Sequence, residues 1–175
     1  MRHRTTADKS PRSRGQRIAP LAGAVLALAV FVPAASAKTV TLHYFSKQTS
    51  STFVTPQGKP LGPNSAPAVG DVNDNTDVDY VGNHKSHAKQ STASDHLRCT
   101  FTGFSGNNAV ATCDAQIAIG GSMFLANNVK LTFSNSNAPI VVPITGGTGI
   151  YRHAHGKVIS TSVGNNSDLT IKVTY

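Results

Sequence analysis

From Lys38 onward, apolar and polar residues alternate in short runs rich in Val, Ile, Thr and Phe, separated by Gly, Asn, Ser and Pro. A period of two marks β-strands with one buried face, and no long helical period competes with it. Residues 39–45 place Val40, Leu42 and Tyr44 on one face and Thr41, His43 and Phe45 on the other. A loop dense in Pro and Gly, TPQGKPLGPNSAP, follows. Residues 69–81 are expected as a second strand despite many Asp and Asn, which are poor strand formers, and residues 83–94 as polar loop or edge. Further strands are expected at residues 123–125, 129–133, 140–144, 157–163 and 169–175. The expected fold is therefore all-β, a closed antiparallel barrel of about eight strands, with a sandwich as the alternative.

The segment HLRCTFTGFSGNNAVATCDAQIAIGG reads as a hairpin turning within residues 103–108. Cys99 and Cys113 lie equally far from Gly106, so they can face each other across neighbouring strands. Leu97 and Phe101 share the face of Cys99, and Ala111, Ala115, Ile117 and Ile119 that of Cys113, which puts a disulfide on the apolar side.

The N-terminus changes the setting. A basic stretch with Arg2, Arg4, Lys9, Arg12, Arg14 and Arg17 precedes an apolar run, residues 18–32, and then Ala35-Ser36-Ala37. That is the pattern of a secretory signal peptide, so residues 1–37 are expected as leader and 38–175 as one mature domain, secreted and without stable membrane insertion. An even pair of cysteines in an exported chain reads as a disulfide. Cleavage leaves ten bases against seven acids, a net charge of +3, which removes most of the basicity that would suggest a nucleic-acid partner.

Three stretches carry a resemblance: YFSKQTSSTFVTPQGKPLGPNSAPAVGD, SDHLRCTFTGF and PITGGTGIYRHAHGKV. Together they resemble the barrel family of allene oxide cyclase and the dirigent proteins, particularly its small exported bacterial members. Its most specific part is Thr145-Gly146-Gly147-Thr148-Gly149, then Tyr151 and Ala154-His155-Gly156. The resemblance implies an eight-stranded barrel, a dimer or more often a trimer, whose lumen takes an apolar or phenolic small molecule without a cofactor for cyclisation or coupling. The chain departs from the plant members: it has no Glu, and Ile150 and His155 stand where plant dirigents carry an acid and an Arg. Gly146, Gly147 and Gly149 are read as structural, since a tight connection needs backbone that only Gly accepts cheaply.

Candidate chemistry is sparse. His155, Arg152, Asp95 and Asp71 are the candidate catalytic residues: a histidine as the type of side chain that serves as a general base, with a cationic side chain and acids able to orient a substrate. Tyr44, Phe101 and Phe124, with Phe45 and Phe104, are candidates for a ligand pocket or plain core. Asp71, Asn73 and Asn75 begin a calcium-loop pattern, but Thr76 replaces the required glycine and Gly82 the closing Glu. His153 with His155, and His84 with His87, lack a third ligand by spacing, so no metal is expected. No Gly-x-Ser-x-Gly elbow occurs. The competing function is a non-catalytic extracellular module whose barrel is filled by its own side chains.

Overall fold

The computed structural model describes residues 37–62, 64–134 and 138–175. The expected leader therefore lies outside the described residues, apart from Ala37. The strands are β1 (Thr39–Val54), β2 (Val72–Asn83), β3 (Ser86–His87), β4 (Ala93–Ser105), β5 (Asn108–Ile119), β6 (Ser122–Ser134), β7 (Ile140–Ile144), β8 (Gly146–Gly147), β9 (His155–Val163) and β10 (Asn166–Thr174), with a 3-10 turn at Gly149–Tyr151. They form a single antiparallel sheet in the order β7-β9-β10-β1-β2-β4-β5-β6-β8, with β3 beside β2. The sheet curls into a nearly closed barrel rather than dividing into the two layers of a sandwich. β7 pairs with β9, β8 with β6, and Thr145 between them donates its N–H to the Leu125 carbonyl at 2.8 Å.

Alternation decides what faces inward. On β1 the buried side runs Tyr44, Ser46; on β4 Cys99, Phe101; on β5 Ala111, Cys113, Ile117; on β10 Leu169, Ile171, Val173. The β4–β5 hairpin turns at Gly106-Asn107, and Cys99 lies opposite Cys113, disulfide-bonded on the inner face. β6 is one strand where the sequence suggested two. Asn127 and Asn128 form a bulge in it, with Asn128 at a φ of 54° and its N–H held 2.7 Å from Asp114 Oδ1. Asn tolerates that left-handed backbone at low cost, and the bulge is what interrupts the apolar alternation.

The two ends of the barrel interior differ. At the end holding the β5–β6 turn, the 3-10 turn folds Tyr151 inward against Phe124 and Tyr175, with ring centroids 4.1 and 4.8 Å away. These rings plug that end. The other end carries the β9–β10 turn and the connection from β1 to β2.

Candidate functional site

Above the aromatic plug the interior holds a cavity of about 220 Å³. Ile117, Phe124, Ala126, Val142, Ile144, Val158 and Leu169 give it apolar walls. Opposite them stand Ser46, Gln48, Asn75, Asp77 and Asp95 from β1, β2 and β4. The cavity reaches the surface beside the β9–β10 turn, where Ser162 and Asn165 line it and are exposed.

Strand register assembles the acidic wall. Ser46 lies opposite Asp79, Gln48 opposite Asp77, and Asp77 opposite Asp95. Two like charges directly across a ladder are unfavourable, so the pair needs a proton. The hydroxyl of Ser46 gives the same answer. Its Oγ lies 2.9 Å from Asp95 Oδ2 and 3.1 Å from Asp77 Oδ2, yet it has one proton to donate. Both contacts are hydrogen bonds only if one carboxyl brings its own proton. Burial, then the charges of Asp79 and Asp77, push the Asp95 carboxyl up to about 8. The acidic wall accordingly shares a proton at neutral pH, and Asp95 is the most strongly raised of its carboxyls.

Asp79 is fully buried, and neither of its carboxyl oxygens has a hydrogen-bond partner; Asp77 Oδ1 is likewise unpartnered. Burial raises the Asp79 carboxyl to about 6, against the lowering influence of its neighbours Ser46 and Asp95. Burial raises Asp77 as well, against the lowering influence of Ser46.

Of the candidate catalytic and ligand-pocket residues read from the sequence, the structure brings Asp95 and Phe124 to the cavity. The others lie elsewhere. Tyr44 is buried on the inner face of β1, outside the cavity lining. Phe101 stacks near the opposite rim with Phe53 and Phe104, at 6.3 and 5.5 Å. Asp71 is a rim clip: its carbonyl accepts from the Phe101 N–H at 2.9 Å and its carboxylate from the Ala68 N–H at 2.7 Å. Arg152 and His155 are exposed, His155 Nδ1 lying 3.4 Å from the carbonyl of His153. Gly146 and Gly147 form β8, and Gly149 opens the 3-10 turn that delivers Tyr151. Among the described residues, no group of three or more His, Cys, Asp or Glu is placed to hold a metal ion. No helix of the described residues is long and apolar enough to cross a membrane.

Ser46, Asp77 and Asp79 were missed by the sequence reading, though a signal existed. In DVNDNTDVDY the residues Asn73, Asn75, Asp77 and Asp79 share one strand face. A polar face can equally be the inner one when the strand lines a lumen.

No family model and no curated protein sequence matches the chain. Solved structures do. The chain is similar to pyocyanin demethylase, with 23% identity over 77% of this chain and 99% of that one and a TM-score of 0.59. It is also similar to a pterocarpan synthase dirigent protein, with 17% identity over 80% of this chain and 85% of that one and a TM-score of 0.51. At these identities the likeness establishes a shared barrel fold.

Proposed function

We propose that the domain from Lys38 onward is an extracellular barrel that holds a small apolar or phenolic molecule in its lumen and steers its cyclisation or coupling by proton transfer. The carrying observation is the two-sided cavity, apolar on one wall and lined by acid and hydroxyl groups on the other. A largely apolar hollow with a few convergent polar groups is the usual form of a small-molecule site. A neutral Asp95 is a proton donor for a ligand carbonyl or a developing alkoxide, and Ser46 with Asp77 orients it. The two structural neighbours are named for demethylating pyocyanin and for synthesising a pterocarpan, both chemistries of small molecules. The leader pattern in residues 1–37 and the Cys99–Cys113 disulfide support a location outside the cytoplasm.

The plugged end of the barrel favours a second reading, a non-catalytic binding module. Turnover of the bound species separates the two.

The test is capture. Purified oxidised protein, incubated with a lipid and phenolic extract of the secreting culture, is expected to retain a defined species in native mass spectrometry. Ala115→Phe, which places a ring in the cavity, is expected to weaken that retention roughly tenfold or more while leaving the fold intact. Protein that is reproducibly empty, or an Ala115→Phe variant that binds as well as the parent, would overturn the reading.

A further inference from the structure

The cavity is one-sided in charge. Asp77 and Asp95 line it, and Asp79 is buried on the same inner patch of β2. Three of the six carboxyl oxygens of this patch, Asp77 Oδ1 and both of Asp79, receive no hydrogen bond from the protein. Buried acceptors in folded proteins are nearly always satisfied, so the open acceptor of Asp77, a side chain that lines the cavity, is half of a hydrogen bond that an occupant completes. Among the described residues no Lys or Arg lines the cavity, and the one lining histidine, His96, has Nε2 engaged 2.8 Å from Asp74 Oδ1.

Size narrows the occupant. A dry apolar cavity of about 150 Å³ accommodates benzene, so by proportion this one accommodates about nine ligand atoms, the size of two fused rings. The wall opposite the acids, with Phe124, Ile117 and Leu169, suits an apolar ring face.

We propose that the lumen takes a small aromatic ligand bearing a cationic or multiply N–H-donating nitrogen, such as an ammonium, an amidinium or a protonated ring nitrogen, seated on the Asp77–Asp95 pair, and that it rejects carboxylates. This rests on the ligand-binding reading above and names its substrate class. A cation there forms charge-assisted hydrogen bonds in surroundings of low dielectric, where they are strongest. A carboxylate would meet like charge without a basic partner, so the same groups that attract one class exclude the other.

Three ligands of one ring system test it: 2-aminoindane, 2-indanol and indane-2-carboxylate, titrated calorimetrically into the purified protein at neutral pH. The ammonium is expected to bind roughly tenfold or more tighter than the alcohol, with the carboxylate weakest. Asp77→Asn keeps the shape of the wall and removes a charge. It is expected to erase most of the ammonium's advantage while leaving the alcohol within about threefold, so that the alcohol reports an intact cavity. If the alcohol binds and the ammonium binds no tighter than the carboxylate, the charge selectivity is wrong and the lumen reading survives. If none of the three binds, both fall.

Discussion

Asp95→Asn is expected to raise the melting temperature at pH 9 by about 10 °C, corresponding to about 3 kcal/mol, and to raise it much less at pH 5. The sign follows from linkage. The folded-state Asp95 carboxyl sits at about 8 and that of Asp79 at about 6, both above the ordinary value of 3.8. Between those limits the folded protein binds more protons than the unfolded chain, so stability falls as pH rises. The contribution of this patch is fully present below the ordinary carboxylate range, falls progressively as pH rises above it, and is wholly lost once the folded-state groups have ionised, near pH 6 and 8. Acid denaturation driven by ion-paired carboxylates has the opposite slope. Asparagine mimics the neutral acid in shape and keeps an N–H for Ser46, so it removes the alkaline loss at little cost in acid. Melting curves from pH 5 to 9 check this by circular dichroism. Parallel profiles for parent and variant would mean that Asp95 does not hold the proton.

The second large effect is expected at the glycine motif, where two neighbours should behave oppositely. Gly147→Ala is expected to cost about 3 kcal/mol or more, because its Cβ would enter the backbone carbonyl oxygens of Tyr151 and Met123. Neither oxygen is free to yield. The Tyr151 carbonyl accepts from the Ala154 N–H and the Met123 carbonyl from the Thr148 N–H, each at 2.8 Å. A Cβ on Gly146 meets nothing within 4 Å, so Gly146→Ala is expected to cost less than about 1 kcal/mol. Urea unfolding of the two variants measures the contrast. Equal costs would place the motif's constraint in something other than close backbone approach.

Much of the wall of the barrel was legible in the sequence, because strands with apolar inner faces announce themselves by alternation. The hairpin and its disulfide followed from counting about Gly106, and the single-residue bulge between Phe101 and Gly103 lies on the turn side of that pair and leaves it in register. β2 was the weak point for a physical reason: its inner face is Asn73, Asn75, Asp77 and Asp79, so alternation remained while the hydrophobicity that usually identifies it was absent. Candidate ligand residues scattered because parity fixes a side chain's face and not its depth. Tyr44, Phe101 and Phe124 all point inward, yet only Phe124 sits at the level of the cavity. Asp71 shares the parity of Asp77 and Asp79 but stands at the rim, occupied by backbone N–H groups. The acidic patch needed three strands in register, which no local pattern encodes.

The first strand of the domain pairs with the last: β1 lies against β10, and Lys38 and Tyr175 exchange backbone hydrogen bonds of 2.8 and 3.0 Å. β10 must therefore be synthesised before the seam can be sewn. Until then β1 lacks the neighbour that covers one of its edges, and the growing chain has no complete native state to fall into. Contacts between distant parts of a chain also form slowly. For as long as it lasts, that delay leaves the chain an open thread, and the barrel closes only once β10 has arrived beside β1.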